Sequence, residues 1–355
     1  MFQNISIKNF RGIHSLNLEQ LGQVNLFVGE NNCGKTTVLE SIFLLAGMSN
    51  PTLPGLTNTL RSKNRIAFDS LKYLFYGMDY QNHPSFLADM ADGNRRELDI
   101  SLGKEVITLK NVSSSSTDQS SLHGGTYQPR SLNLSFNIKK DGVKTVEGDC
   151  GIILQDDMTL SLQKSPSYHE TINGLFLPAN DMADSLISQL SELIKRKQKD
   201  SLLEHARLFD PQITNMELLP DGVYIGYDGI AEMLPLDLCG EGFKKFLGVI
   251  GAVVSKINQL VLIDELENGI HFSAYSKLWK GLIGLAVKHG VQLMISTHSK
   301  ELVAELTKYL NESNLPGNTV CVYTLSRTQK NGLQAYRYTK DGLSGVLESD
   351  MEIRQ

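Results

Sequence analysis

Eight consecutive residues, Gly29-Glu30-Asn31-Asn32-Cys33-Gly34-Lys35-Thr36, fit the pattern GxxxxGK[ST] at every fixed position. Glycines in such a loop let backbone N–H groups turn inward around an anion, and a helix starting there adds the positive end of its dipole. Lys35 would then reach the β- and γ-phosphates of a nucleotide, the Thr36 hydroxyl would ligate Mg²⁺, and Thr37 completes the phosphate-facing set. A glycine turn can match this pattern by accident. What separates the two readings is context, a strand before the loop and a helix after it.

Three further stretches carry chemistry. In "LVLIDELENG" four apolar residues lead into Asp264 and Glu265, which places two carboxylates at the end of a buried strand. Asp264 suits a Mg²⁺ ligand, directly or through water, and Glu265 suits a general base that polarises an attacking water. An acidic loop start would look the same in isolation; the glycine loop far upstream favours the catalytic reading. "LMISTHS" is another apolar strand, and it delivers Thr297 and His298, with His298 placed to contact a γ-phosphate. In "LDLCGEGFKKFL", Gly240 and Gly242 open a helix whose N–H groups either bind an anion or merely cap the helix. No NKxD-like stretch selects guanine, so ATP is the expected nucleotide.

These residues need elements to hold them. "FQNISIKNF" and "IHSLNLEQL" alternate with a period of two, and "QVNLFVGE" is apolar up to its glycine, so three strands are predicted at the start of an α/β unit. "KTTVLESIFLLAG" reads as a helix ending at Gly47, and residues from Ser49 to about Leu60 read as a connector. From about 65 to 175 the text changes to a short helical piece, "FDSLKYLFYGM", then strands "ELDISLG", "KEVITLKNV", "SLNLSFNIKKDG" and "MTLSLQK" around the polar loop "SSSSTDQSSLHGGTYQPR". Ala183 to Phe209 has the spacing of an amphipathic helix or helix pair, and its basic run Lys195 to Lys199 reads as a solvated face. "GVYIGYDG" predicts a hairpin strand, "GEGFKKFLGVIGAVVSKI" a helix, and "QLVLIDELENG", "AYSKLWKGLIGLAVKHG" and "VQLMISTHS" a strand, a helix and a strand. Continuous apolar strands alternating with helices indicate a parallel sheet covered on both faces.

Composition sets the outer limits. The 355 residues are 41% hydrophobic and 21% charged with a net charge of −5, ordinary values for a globular chain. That balance gives no bulk attraction to nucleic acid or anionic membrane, though a local basic groove is compatible with it. Cys33, Cys150, Cys239 and Cys321 form no CxxC pair, so neither a zinc site nor a disulfide framework is expected. "FLGVIGAVV" is too short to cross a bilayer and the N-terminus is not a signal peptide, so a cytoplasmic location without membrane contact is expected.

The four chemical stretches, in this order and spacing, resemble the ABC-type ATPase head of the SMC, RecF and OLD group. Gly29 to Thr36 matches its Walker A motif, Leu260 to Glu265 its Walker B motif and His298 its switch histidine. "ISIKNFRGI" looks like its first strand, which places Arg11 close to the nucleotide. Within the group, "GEGFKKFL…VLIDELENGIHFS…W…STHS" looks most like compact ABC-like AAA ATPases, several of which serve bacterial anti-phage systems of the PARIS and retron-associated kinds. The resemblance implies a P-loop NTPase of ABC-ATPase head type: a mixed, largely parallel sheet flanked by helices, with a β-rich and helical insertion. On it, residues 1–64 and 211–355 form the two parts of the core and residues 65–210 the insertion or arm. Cys239-Gly240-Glu241-Gly242 matches the signature loop, but a cysteine stands where the family has serine, and a thiol is a weaker donor. Slow turnover is the expected result. The cofactors implied are ATP and Mg²⁺. The mechanism implied is a head-to-tail homodimer, or higher homo-oligomer, held closed by ATP and released by hydrolysis.

Three functions compete at this stage. One is an ATP-hydrolysing dimerisation switch that controls a partner effector, a nuclease or toxin; no TOPRIM-like carboxylate cluster follows residue 300 to supply a second activity. Another is a RecF-like ATPase of DNA repair or maintenance, with Arg130, Lys139, Lys140, Lys144 and Lys195 to Lys199 as DNA contacts. The last is a scaffold that binds ATP without turnover.

Overall fold

The computed structural model describes residues 1–61, 68–103, 130–155, 159–166, 168–179, 183–255, 257–328 and 332–338, with a few single positions between them. The strand expected at "KEVITLKNV" and most of the polar loop after it lie outside the described residues. Along the chain run β1 (Phe2–Phe10), β2 (Ile13–Leu18), β3 (Val24–Val28), α1 (Lys35–Ala46) and α2 (Leu53–Thr59). Two 3₁₀ turns, Phe68–Leu74 and Tyr76–Met78, precede β4 (Ser85–Met90), β5 (Asn94–Gly103), β6 (Ser131–Lys140), β7 (Val143–Leu154), β8 (Leu160–Gln163) and β9 (Gly174–Leu177). Then come α3 (Ala183–Lys195), α4 (Lys199–Phe209), β10 (Ile213–Leu219), β11 (Gly222–Tyr227) and β12 (Leu234–Pro235). The last third holds α5 (Glu241–Val254), β13 (Leu260–Ile263), α6 (Tyr275–His289), β14 (Gln292–Thr297), α7 (Lys300–Glu312), β15 (Val320–Thr328) and β16 (Gly332–Tyr338).

Strands β16-β15-β3-β14-β13-β9 form one sheet, parallel except for β16. The period of two explains how it is covered. Val24, Leu26 and Val28 of β3, with Val261, Ile263, Leu293 and Ile295, pack against α5, α6 and α7. Phe27, Leu260, Leu262 and Met294 point the other way, into a core shared with α1. Eleven of the twelve residues of α1 are buried, which a helix achieves only when covered on every side. Beyond α1 lies the second sheet, β2-β1-β4-β5-β6-β7-β8, antiparallel throughout. Its inward residues, among them Ile5, Ile7, Phe86, Leu98 and Phe136, close the core over α1. Gln292 ties the layers: its amide accepts from Phe2 N–H at 2.8 Å and donates to the carbonyls of Phe2 and Gly22 at 2.8 and 2.9 Å.

Some expectations change here. The strands β1 and β2 do not open the α/β unit with β3; they begin the antiparallel sheet, and β4 to β8 extend it through β1–β4 pairing. The connector after Ser49 contains α2, because Pro54 falls in the first turn, where no helical N–H is required. The 183–209 segment resolves into two helices, α3 and α4, broken at Lys197, whose φ is 58°. No helix among the described residues is long and apolar enough to cross a membrane.

Candidate functional site: a phosphate loop facing an acidic strand end

Parallel pairing brings the C-terminal ends of three strands together. Val28 lies beside Thr297, and Ile263 beside Ile295, so the Gly29 loop, the Asp264-Glu265 pair and His298 emerge at one edge. The loop needs its glycines. Gly34 has φ 117°, and a Cβ on Gly29 would lie 2.6 Å from the Leu325 carbonyl oxygen and 2.7 Å from Cys33 Sγ. Lys35, nearly buried, donates to the carbonyls of Gly29 and Glu30 at 2.8 Å each, so the ammonium sits inside the loop. Burial pushes the Cys33 thiol up, with Lys35 opposing, so Cys33 fills space rather than offering a thiolate.

The Thr36 hydroxyl donates to Asp264, 3.1 and 3.0 Å from its two carboxylate oxygens. Ser296, wholly buried on β14, donates to Asp264 Oδ1 at 2.5 Å and accepts from the Glu265 N–H at 2.8 Å. One hydroxyl therefore orients both acids. Burial raises the Asp264 carboxyl; the hydrogen bonds from Ser296 and Thr36 oppose this, and the charges of Glu265 and Glu40 add to it. A hydroxyl and a carboxylate converging at this distance fit Mg²⁺, a hard ion that takes one or two protein oxygens and completes its shell with phosphate and water. No group of three or more His, Cys, Asp or Glu side chains suited to a metal occurs among the described residues, consistent with so sparse a donor set.

Glu265 occupies the left-handed region at φ 47°, which costs a non-glycine residue about 1–3 kcal/mol unless its surroundings impose it. Its carboxylate accepts from Asn268 Nδ2 at 2.6 Å. His298 is fixed by Glu267, which accepts from the His298 backbone N–H at 2.6 Å and lies 2.9 Å from Nδ1, leaving the ring partly exposed. On the other flank, Arg11 Nε lies 2.9 Å from Glu40 of α1, and Arg61 reaches the same carboxylate at 2.7 and 2.8 Å and Thr37 Oγ1 at 2.8 Å. Burial pulls the Arg11 guanidinium down to about 10, with Glu40 opposing and the charge of Arg61 adding. Burial acts downward on Arg61 too, but its bonds to Glu40 carry it up. Both arginines line a cavity of about 720 Å³ with Tyr73, Phe75, Tyr76 and Arg327.

Of the predicted residues, Lys35 lies inside the loop, Thr36 meets Asp264 directly and Ser296 joins Asp264 to Glu265; Arg11 reaches Thr37 through Glu40 and Arg61, and His298, held by Glu267, emerges at the same strand ends. Among the described residues, Cys239 to Gly242 make no polar contact with the phosphate loop, while Gly242 packs against Gly269 of the loop that follows Glu265. Cys239 Sγ instead lies 3.8 Å from Tyr227 Oη and 3.9 Å from the Pro235 carbonyl oxygen. Sequence reasoning missed Ser296, Glu267, Asn268, Glu40 and Arg61. A serine inside the apolar run "LMIS" and a lone acid inside "VLESIFLL" were the available signals.

Comparison with known proteins bears on this arrangement. Residues 1–74 match a family described as "AAA ATPase domain", and residues 173–304 one described as "AAA domain, putative AbiEii toxin, Type IV TA system". Over 90% of its length the chain is 23% identical to an ATP/GTP phosphatase of Helicobacter pylori, covering 91% of that protein. Over 24% of its length it is 46% identical to the DNA replication and repair protein RecF of Clostridioides difficile, covering 21% of that protein. It superposes on an SMC head, solved bound to the C-winged helix domain of ScpA, with a TM-score of 0.55 at 10% identity, covering 95% of this chain and 97% of that one. The fold is that of an SMC-type ATPase head. Two separate segments of the chain are thus similar to AAA domains, and together they make up the part of the fold that carries the phosphate loop and the acidic strand end. In this head, the Thr36–Asp264 pair occupies the meeting point of the two matched segments.

Proposed function

We propose that this chain binds ATP in the Gly29–Thr36 loop, hydrolyses it slowly with Glu265 as general base, and pairs head-to-tail with a second copy while ATP is bound. The pairing controls a partner effector, a nuclease or toxin, in bacterial anti-phage defence of the PARIS or retron-associated kind. The observation that carries the hydrolytic reading is the chain of contacts Thr36–Asp264–Ser296–Glu265, which joins a phosphate loop to two oriented acids. Thr36 and Asp264 would hold Mg²⁺, which would supply charge neutralisation toward the phosphates. Lys35 and the loop N–H groups bind the phosphates, Glu265 takes the proton of the attacking water, and His298, steadied by Glu267, faces the terminal phosphate. The cavity beside Arg11 and Arg61 receives the sugar and base. Pairing is supported by the Cys239–Gly242 turn, where Gly240 and Glu241 are exposed and so open to a second copy. The toxin named in the second family description supports the effector side.

The test compares ATP and GTP hydrolysis by wild type and Glu265→Gln, since the Helicobacter relative is named for both nucleotides. The substitution is expected to lower kcat by about 10²- to 10⁴-fold with nucleotide still bound. Equal rates above background would remove Glu265 from its role, and background rates in both proteins would favour a non-hydrolysing scaffold. Light scattering on the same variant with Mg-ATP is expected to show a doubled mass; an unchanged mass with nucleotide bound removes the pairing.

The RecF similarity of one segment favours a second reading, a DNA-maintenance ATPase. Several candidate DNA contacts are already paired: Lys139 with Glu97, Lys144 with Glu147, Lys195 and Arg196 with Glu192, and Lys199 with Glu217. ATP-enhanced duplex binding that weakens steeply with salt would move the function to this reading.

A further inference from the structure

Two consecutive lysines in the first turns of α5 behave differently. Lys244 pairs at the surface with Glu241. Lys245 turns inward, is almost wholly buried, and is ion-paired to no carboxylate among the described residues. Its ammonium donates instead to three backbone carbonyls, those of Glu265 at 3.2 Å, Asp264 at 3.4 Å and Ala179 at 3.5 Å. Two of these belong to the acidic pair, and the third follows β9, the neighbour of β13.

A second contact fastens the same turn to the same loop. A Cβ on Gly242 would lie 2.5 Å from the Gly269 carbonyl oxygen and 3.4 Å from Gly269 C and Ile270 Cα, so α5 and the loop 264–270 touch backbone to backbone. That loop carries Glu265, its partner Asn268, and Glu267, which holds His298. Glu265 also has a backbone conformation it would not choose, at φ 47°. Its N–H is held from β14 by Ser296 and its carbonyl from α5 by Lys245. Each clamp fixes one side of the strained residue.

We infer that Lys245 is a positioning residue that makes the placement of Glu265 depend on where the first turn of α5 lies. The inference rests on the hydrolytic reading of Glu265 above. A displacement of the Gly240–Gly242 end, by whatever engages it, passes through Lys245 and Gly242 into the loop bearing the base. The phosphate loop, on β3 and α1, is touched by this linkage only at one remove, where Thr36 meets Asp264. Lys245 therefore acts on turnover far more than on nucleotide affinity.

The experiment measures steady-state hydrolysis and fluorescent-nucleotide binding for wild type, Lys245→Met, Lys245→Arg and Glu265→Gln. Lys245→Met keeps the length of the stem and removes the donors. It should lower kcat by about a hundredfold, the scale of a misplaced catalytic group, with nucleotide Kd and KM within about threefold of wild type. Lys245→Arg, which keeps the charge and donors, should recover a substantial part of kcat. The double variant Gly242→Ala with Lys245→Met should be little slower than its slower parent, because both loosen one loop. A wild-type kcat in Lys245→Met while Glu265→Gln is inactive overturns the inference alone. So does a nucleotide Kd that weakens in step with kcat, or multiplicative effects in the double variant. An unfolded Lys245→Met leaves the decision to Lys245→Arg, where kcat lost with no split from Kd has the same consequence. Full activity in Glu265→Gln overturns the underlying reading instead.

Discussion

On the antiparallel sheet, Lys139 meets Glu97 and Arg95 meets Asp89, each at 2.7 Å and each pair partly in water. At the end of the parallel strands the arrangement differs. Glu40 receives two arginines, while Asp264 and Glu265 stand next to each other with no lysine or arginine ion-paired to either among the described residues. The first region neutralises charge locally and gains little from it. The second separates charge, with cations gathered on one flank of the phosphate loop and anions on the other. Such a separation is unfavourable in the protein alone and becomes favourable when an anionic phosphate chain and a cation lie between the flanks.

Substitutions in the two regions should differ in size and in sign. Glu40→Gln should have the largest effect on stability, because it strands the buried Arg11 guanidinium without a counter-charge. A loss of about 3 kcal/mol in urea denaturation is expected, and a loss below about 1 kcal/mol would mean water already screens the cluster. Asp264→Asn should act in the opposite direction. Burial raises the folded-state pKa of Asp264 above its unfolded value. Its ionised form therefore costs folding free energy that appears as pH rises past the unfolded value of about 3.9 and is complete above the folded one. The variant should then have a higher Tm than wild type at neutral pH without nucleotide, the gap closing in acid, while Mg²⁺-dependent nucleotide binding is lost. An equal or lower Tm would show that the hydrogen bonds to Asp264 outweigh its burial. Lys139→Ala, on the other sheet, should change stability by less than about 1 kcal/mol and leave hydrolysis untouched. A clear loss of duplex binding in that variant would show that its pairing with Glu97 is exchanged for phosphate.

The phosphate loop, α1 and the strands β3, β13 and β14 were legible because burial on both faces writes a continuous apolar run, and because only glycines fit the loop. The antiparallel sheet was legible in part. β7 went unread because its first half, "VKTVEGD", lies at the surface with no apolar alternation; in the parallel sheet, β9 went unread because four residues carry too little pattern. Ser296 and Glu40 show a different limit. Their types are ordinary, and their importance comes from what the register of β14 and the packing of α2 place beside them. Lys245 was indistinguishable in sequence from Lys244; only the helix phase separates a solvated lysine from a buried clamp.

The strand order also dictates the timing of assembly. β3 lies in the middle of its sheet, yet both its neighbours, β14 and β15, come from the last third of the chain. During synthesis at about 5–20 residues per second, β3 and the phosphate loop wait roughly 10–50 s for Gln292–Thr297 to arrive. Throughout that interval an apolar strand has two unpaired edges, and the nascent chain depends on the antiparallel sheet, or on a chaperone, to keep it from pairing with another copy.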